Sequence, residues 1–403
     1  MRRRSAGPRV RVRVYNVRFG DCVLLSIGEG SAERHALFDF GNAPSGVHNE
    51  GGRNDVFAPI AKDIRDRTGA RLHLVVMSHE HLDHMEGFLD QKSVFDGIQV
   101  DEVWMSVMSA PDYYRRFPDC QPEKKARAAL AGLAHAWDAS GRFNDLSPSV
   151  RAMIANNVLS VSNPGRVDFV RKLTGTARGT KYQYRTSKLS RTHPLGRGVS
   201  VEVLAPEQRS SAYYPKRRGG LWLDVAARFG GAEIEGATTL GRAQRAAPRH
   251  VAPDEFERLR DDVADLDVND LLAIDKAANN TSLVVRVTVG GKVMFFPGDA
   301  EQESWAIMKT KGLLGPVDLL KVAHHGSVNG MPYDGAESVV DDMLRPDGTT
   351  VAVVSTCRGV YGKSAETAIP HRRLMALLKS RCARVIDTEH DARPGAHVDV
   401  EIA

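Results

Sequence analysis

The segment His79–His84 (HEHLDH) places three histidines and an aspartate within six residues, directly after the apolar run Leu72–Met77. An apolar run of this length is typical of a buried strand, so the segment lies at a strand end. Imidazole and carboxylate are ligands that zinc, manganese and iron accept. Four such groups so close in sequence can surround a metal without long-range folding. We therefore predict these metal ligands: His79, His81, Asp83 and His84.

The HxHxDH pattern after an apolar strand resembles the first metal motif of the metallo-β-lactamase superfamily. The resemblance implies an α/β fold, a four-layer αββα sandwich with a one- or two-metal site at one edge. It implies that Asp39, after an early strand, supports the metal loop without binding the metal. It also implies that Asp299, in a Gly-Asp pair at a later strand end, bridges two metal ions.

Four further motifs follow one another along the chain in a fixed order. They are Gly20-Asp21, the run NTSLV at 280–284, Gly298-Asp299 and the run KVAHHGS at 321–327. This order resembles the soluble hydrolase domain of ComEC-like DNA-internalisation competence proteins, without their membrane-spanning part. The resemblance spans residues 10 to about 400 but is poor between about 105 and 275. It suggests nuclease activity.

The chain departs from the superfamily pattern at the histidine that usually lies between HxHxDH and the bridging aspartate. That interval holds only His135, His193 and His250, none of them at a clear strand end, and His193 is the candidate among them. We expect His324 or His325 to complete a metal site or to contact the scissile group. His371 follows Pro370, the reverse of the His-Pro order in the ComEC-like group, and is a candidate ligand of the second metal.

These ligands predict two divalent ions, zinc or manganese, which would supply an activated water for hydrolysis. In this scheme His79 and His81 hold one ion, Asp83 and His84 hold the other, and Asp299 lies between them. Asp83 also orients the water, and His325 protonates the leaving group. Glu80 has no catalytic role in this scheme, and no serine or cysteine nucleophile is needed.

The elements that must position these residues are predicted from the hydrophobic pattern. Short apolar or alternating runs predict strands at 10–17, 22–27, 36–40, 72–77, 282–289, 292–296, 317–322, 350–355, 384–388 and 396–402. Helical spacing occurs at 56–67, 124–137, 147–159, 255–267 and 370–379. Strand signals fade from about 109 to 199. We therefore predict residues 1–105 and 276–403 as the two halves of the sandwich, and 106–275 as a helical, partly basic insertion.

Composition limits the class of protein. The chain has 403 residues, 42% hydrophobic and 26% charged, with a net charge of +5, which is typical of a globular protein. Its four cysteines form no CxxC pair, so reduced thiols are expected rather than a disulfide framework or a thiolate zinc site. No apolar run reaches 18 residues, and no secretory signal is recognised. We expect a cytoplasmic protein with no membrane partner; its oligomeric state stays open.

The segment Arg166–Gly220 is strongly basic, with thirteen Lys and Arg residues against three acidic ones, interleaved with tyrosines. Cations beside aromatic rings can follow a phosphate backbone and stack bases. The alternative is a solvated basic surface that balances the acidic segment Glu255–Asp267. The nucleic-acid interpretation nominates these binding residues: Lys181, Arg185, Lys188 and Arg191.

The function that these observations favour is metal-dependent hydrolysis with a phosphodiester as substrate, by a phosphodiesterase or nuclease. One alternative is a small-molecule esterase or phosphodiesterase in which the insertion forms a lid. Another is a nucleic-acid-binding protein with a structural metal, which the intact ligand set disfavours. A redox di-iron protein usually substitutes an acid for a first-motif histidine, and His81 argues against it.

Overall fold

The structure is a computed structural model. It describes residues 8–43, 53–121, 165–176, 179–189, 194–213, 268–361 and 368–402, and helical residues at 123, 124, 127, 128, 130, 131, 134, 151 and 153–157. The candidates His135, His193, His250 and Arg191 and the predicted helix at 255–267 lie outside the described residues. The described residues of the predicted helices at 124–137 and 147–159 are helical.

Fifteen strands occur in the described part of the chain. They are β1 (Val10–Tyr15), β2 (Val23–Ile27), β3 (Arg34–Phe38), β4 (Arg71–Leu72), β5 (Leu74–Met77), β6 (Gln99–Val100), β7 (Val103–Ser106), β8 (Thr180–Gln183), β9 (Val199–Ala205), β10 (Val284–Val289), β11 (Lys292–Phe296), β12 (Leu319–Lys321), β13 (Val351–Val354), β14 (Arg384–Asp387) and β15 (His397–Ile402).

These strands form two large sheets and one small one. The seven-stranded sheet has the order β15-β1-β2-β3-β5-β7-β8, and the six-stranded sheet the order β14-β13-β12-β11-β10-β9. In the first sheet β3, β5, β7 and β8 are parallel, and in the second β11 to β14 are parallel. The strands β4 and β6 pair separately. The carboxyl ends of each parallel set therefore lie at one edge of the sheet.

Helices cover the outer faces of both sheets. The α-helices of the described residues, apart from the partly described stretches at 121–134 and 151–157, are α1 (Phe57–Thr68), α2 (Leu82–Asp90), α3 (Lys92–Phe95), α4 (Tyr113–Arg116), α5 (Gly165–Lys172), α6 (Val268–Asn279), α7 (Gln302–Thr310), α8 (Val340–Met343), α9 (Arg372–Arg381) and α10 (Thr388–Asp391).

Three hydrophobic cores define the order of the layers. Alternation along each strand sends one set of side chains between the sheets, where Phe38 of the first sheet stacks on Phe296 of the second with ring centroids 4.1 Å apart. The opposite face of the first sheet packs against α1 and α2. The opposite face of the second sheet packs against α7 and α9, through side chains such as Trp305 and Leu374. The layers are helix, sheet, sheet, helix, so the predicted αββα fold class is confirmed.

Several elements of the fold have no counterpart in the sequence prediction: the strands β6, β7, β8 and β9, and the helices α2 to α8 and α10. The strand β8 lies in the range where strand signals fade, yet it extends the first sheet beyond β7. Its sequence, TKYQ, is mostly polar and shows no apolar alternation, although Thr180 and Gln183 are buried. The helix α6 directly precedes the NTSLV run and was also not predicted. In the part of the chain described here, no helix is long and apolar enough to cross a membrane.

Candidate metal centre

The HEHLDH segment follows β5 and leads into α2. His81 occupies the N-cap position of α2 with an extended backbone, and Asp83 and His84 belong to the first turn of the helix. The segment is anchored at both ends: Asp39 Oδ1 accepts the Ser78 N–H at 2.7 Å, and Asn156 Oδ1 accepts the Leu82 N–H at 2.8 Å. These bonds fix the direction in which the ligand side chains leave the backbone.

The second sheet supplies the other side of the centre. Asp299 follows β11, and the pair His324 and His325 follows β12. Both histidines have left-handed backbone conformations, with φ of 47° and 54°. Residues other than glycine and asparagine rarely adopt this conformation, and such strain is concentrated at functional sites. Such strain fits a backbone whose conformation sets the direction of the His324 and His325 rings.

Four side chains form a tight buried group: Asp83, His84, Asp299 and His325. One ligand atom of each lies within 4.8 Å of those of the others. Asp299 Oδ2 is 3.2 Å from His84 Nε2 and 3.3 Å from His325 Nε2, while Asp83 Oδ2 is 3.4 Å from His325 Nε2. This spacing brings two imidazoles and two carboxylates, from both sheets, around one point.

Several atoms of this group, and one of His79 beside it, are buried and form no well-aligned hydrogen bond. They are Nε2 of His79, His84 and His325, Oδ1 of Asp83 and both carboxylate oxygens of Asp299. Leaving a buried polar atom unpaired costs about 1–3 kcal/mol, and more for a charged group. Metal ions satisfy such atoms, and nitrogen and carboxylate donors suit zinc or manganese. The residues present therefore fit the metal centre that the motif implies.

Electrostatics in the buried group favours protonated imidazoles beside ionised carboxylates. Burial lowers the pKa of His325, but the Asp299 and Asp83 carboxylates outweigh it and raise that pKa to about 10. The pKa of His84 is likewise raised well above its usual range, against burial, by Asp299 and Asp39. Burial raises the pKa of Asp299, but the neighbouring imidazolium charges hold it well below its usual value. In the metal-free protein, the protons on His84 and His325 supply the positive charge that faces the carboxylates.

The two other residues of the first motif lie beside this group. The His79 ring is 4.3 Å from that of His84 and 4.5 Å from that of His81, measured between centroids. Burial and the neighbouring imidazoles lower the pKa of His79 well below its usual value. His81 Nε2 lies 3.1 Å from Asn157 Oδ1. A neutral His79 with an unpaired Nε2 is ready to bind a metal ion.

Asp39 and Asp21 are buried carboxylates that lie next to His84. Asp39 Oδ2 lies 2.9 Å from His84 Nδ1, so Asp39 can orient the His84 ring; its role in supporting a metal stays a prediction. Asp21 Oδ2 lies 2.7 Å from Lys321 Nζ, and both groups are buried. Asp21, Asp39 and His84 form a second group whose ligand atoms lie within 4.8 Å of one another. The role of Asp21 was not predicted, although the Gly20-Asp21 motif marked its position.

The remaining predicted ligands, His324 and His371, lie outside the group of four buried side chains. His324 is 16% exposed; its Nδ1 lies 3.2 Å from Glu301 Oε1 and its Nε2 lies 3.9 Å from Asp299 Oδ2. His371 lies before α9, and its Nδ1 is 2.9 Å from the Tyr333 hydroxyl. Neither group of close potential ligands among the described residues includes His324 or His371. Their ligand roles stay predictions.

Sequence reasoning missed the polar side chains that surround the centre, which are Asn156, Asn157, Asp275, Asn279 and Glu301. The last two flank recognised motifs, so closer attention to motif neighbours could have found them. Nothing in the sequence distinguishes Asn156, Asn157 or Asp275 from ordinary polar helix residues.

The nucleic-acid candidates differ in their surroundings. Lys181 on β8 and Lys188 are exposed. Arg185 forms a bidentate ion pair with Glu207, with Nε 2.6 Å from Oε1. Its charge is therefore largely compensated. The β8 strand is parallel to β5, so Arg185, which follows β8, lies at the same sheet edge as the HEHLDH segment, which follows β5.

The four layers, with the HEHLDH segment at the carboxyl edge of the sheets, define a fold of the metallo-β-lactamase type. Its buried His and Asp groups can hold a metal. No family model matches the chain, and no curated protein matches it. Among solved structures, the chain is similar to the metallo-beta-lactamase fold protein YhfI from Bacillus subtilis. The two are 8% identical, with 97% of this chain and 99% of that one covered, at a TM-score of 0.34. A likeness at this level does not bear on activity.

Proposed function

We propose that this protein is a metal-dependent hydrolase of phosphodiesters, and that its substrate is a nucleic acid. The observation that carries the proposal is the set of buried imidazole and carboxylate atoms without hydrogen-bond partners where β5, β11 and β12 end. A structural role alone would not require so many unpaired buried donors and acceptors at one strand edge.

The choice of a phosphodiester substrate rests on the four motifs that resemble the ComEC-like group. The structure brings them together although they are spread over some 300 residues of sequence. Asp21 pairs with Lys321 at the start of the KVAHHGS run. Ser282 Oγ, in the NTSLV run, accepts the Asp299 N–H at 3.2 Å. This convergence supports the resemblance as one of function.

Zinc or manganese ions at this centre would act as Lewis acids and would supply an activated water. We assign the protein ligands as His79 and His81 for one ion, Asp83, His84 and His325 for the other, and Asp299 between them. Asp39 holds His84 by its Nδ1 and so directs Nε2 towards the centre. Asp83 Oδ1, which has no hydrogen-bond partner, can accept a hydrogen bond from the attacking water.

The surroundings of the two neighbouring histidines favour an exchange of the roles predicted from sequence. His325 is fully buried, with Nδ1 3.0 Å from the Ser355 carbonyl oxygen and Nε2 between two carboxylates, as a metal ligand requires. His324 is partly exposed, and Glu301 lies beside its Nδ1, so its Nε2 faces the centre. We assign to His324 the contact with the leaving group, which it can protonate.

A second candidate is a small-molecule phosphodiesterase or esterase in which the predicted insertion covers the site. It is favoured by Asn156 and Asn157, which bring residues 153–157 against the metal loop. The two candidates share the same centre and differ in the size of the substrate. Competition with polynucleotide separates them.

The test is hydrolysis of bis-p-nitrophenyl phosphate by protein reconstituted with zinc or manganese, beside the Asp83→Ala variant. We expect turnover by the wild type and its loss in the variant. Single-stranded DNA should inhibit the wild type if the substrate is a nucleic acid, and should leave the rate unchanged if it is a small molecule. Absence of turnover with either metal, in protein shown to bind it, would contradict the proposed activity.

A further inference from the structure

A continuous line of polar side chains connects His81 to His324 across the centre. Its members come from the helical residues 153–157, from α6 and from the segment before α7. In order they are Asn157, Asp275, Asn279 and Glu301. None of them belongs to the HxHxDH or HHGS motifs.

The orientation of the Asn157 amide determines which nitrogen of His81 bears the proton. Asn157 Nδ2 lies 3.0 Å from the Met153 carbonyl oxygen, which can only accept a hydrogen bond, and 2.8 Å from Asp275 Oδ1, which accepts one when the carboxyl is ionised. The amide oxygen must therefore face His81 and accept from its Nε2, 3.1 Å away. His81 Nε2 then bears the hydrogen, and the lone pair on Nδ1 stays free.

The rest of the line follows the same rule of donors facing acceptors. Asn279 Nδ2 lies 3.3 Å from Asp275 Oδ2 and 2.8 Å from Glu301 Oε1, so its two hydrogens serve two carboxylates. Glu301 Oε1 lies 3.2 Å from His324 Nδ1, an ion-pair contact that is not aligned as a hydrogen bond. Asp275 therefore accepts from two amides, one on each side, and has a single arrangement that satisfies both.

We propose that Asn157 and Asp275 are positioning residues that fix the tautomer of His81 and thereby prepare its Nδ1 to bind a metal ion. The inference rests on the metal centre of the proposed function. A ligating histidine commonly donates its other ring N–H to an oriented acceptor, and loss of that acceptor typically costs about 10- to 100-fold in metal affinity. Asn157 is 1% exposed, so its amide is shielded from bulk water in the folded protein. The residues between 153 and 157 thus become part of the metal centre.

The test compares Asn157→Ala and Asp275→Asn with the wild type and with Asn16→Ala. Asn16 is a matched control, since its buried amide bonds the Thr388 and Ala392 carbonyl oxygens and lies outside the line. The first readout is the His81 tautomer in metal-free protein, from long-range proton–nitrogen spectra of nitrogen-15-labelled histidine. The second is zinc affinity, by competition with a chromophoric chelator.

We expect Nε2-protonated His81 in the wild type and in Asn16→Ala, and a tautomer mixture in Asn157→Ala. We expect one of the two zinc ions to bind about 10- to 100-fold more weakly in Asn157→Ala, with a change in the same direction in Asp275→Asn. The nearly isosteric Asp275→Asn decides the matter should Asn157→Ala fail to fold. Unchanged tautomer and zinc affinities in the folded variants would overturn the inference while leaving the hydrolase proposal intact. Zinc binding without turnover by the wild type would contradict the hydrolase proposal and leave this inference intact.

Discussion

At the scale of single residues, the centre combines buried carboxylates with imidazoles that hold protons in the metal-free protein. Asp299 and Asp83 raise the pKa of His325 to about 10 despite its burial, so this imidazole is protonated at pH 7 in metal-free protein. A metal ion binds only the neutral ring. Proton and metal therefore compete for the same nitrogen.

We predict that zinc binding at pH 7 releases protons and that zinc affinity increases with pH up to about 10. The sign follows because a raised pKa favours the protonated, metal-free state, and higher pH removes that competitor. Calorimetric titrations in two buffers of different ionisation enthalpy measure the released protons. His325→Ala should release fewer; equal heats in both buffers for the wild type would contradict the prediction.

The two adjacent histidines should give different phenotypes. We predict that His325→Ala loses bound metal, because its Nε2 lies between Asp83 and Asp299. His324→Ala should keep the metal and lose about 100- to 10,000-fold in kcat, the usual contribution of a general acid. Metal content and turnover of bis-p-nitrophenyl phosphate, measured on the same preparations, check both. If His325→Ala retained its metal, the His325 ring would have a role other than that of a metal ligand.

At the scale of elements, close approach of two backbones shapes the metal loop. Gly41 follows β3 and lies against the first turn of α2, where an added Cβ would overlap the Leu82 carbonyl oxygen and the Asp83 backbone. These atoms are backbone and cannot move away without displacing the side chains of Asp83 and His84, which we propose as metal ligands. The loop therefore requires glycine at this position.

We predict that Gly41→Ala lowers stability by about 1–3 kcal/mol, as overpacking of a core does, and weakens metal binding. Gly315→Ala is the control, because nothing lies within 4 Å of a Cβ added there. Thermal unfolding of the metal-free proteins measures the first effect, and chelator competition the second. Equal behaviour of the two variants would show that the loop accommodates a side chain.

The elements also show how far sequence can predict this site. The strand β11 occupies the predicted residues 292–296, and the HEHLDH segment follows β5 at the predicted strand end. Buried strands such as β11 leave a strong apolar signal, although the four-residue β7 and the alternating β9 were not predicted. The edge strand β8 leaves none, because its side chains are polar. The partners of His81 were missed because Asn157 and Asp275 are 118 residues apart, and only folding brings them together.

At the scale of the whole molecule, the centre lies where the two sheets meet. Its carboxylates and imidazoles come from both sheets, so the site depends on the packing of the sandwich and contributes to it. A ligand that binds only the folded state stabilises it, by about 2.7 kcal/mol at a free concentration one hundred times its dissociation constant. Metal ions at this centre should therefore link the two halves of the fold.

We predict that removal of metal by a chelator lowers the melting temperature of the wild type and that zinc or manganese restores it. Asp299→Ala should show a smaller shift, because its carboxylate lies between imidazoles contributed by both sheets. Scanning calorimetry with and without chelator measures the difference. An identical shift in the wild type and Asp299→Ala would place the stabilising metal elsewhere in the molecule.

The most direct test of the metal centre is metal content by elemental mass spectrometry, on protein reconstituted with zinc or manganese and freed of excess ion. The arrangement of His79, His81, Asp83, His84, Asp299 and His325 predicts two ions per chain in the wild type. Fewer should remain in His84→Ala. Absence of bound metal in the wild type after reconstitution with either ion would contradict the metal centre and the hydrolase function proposed for it.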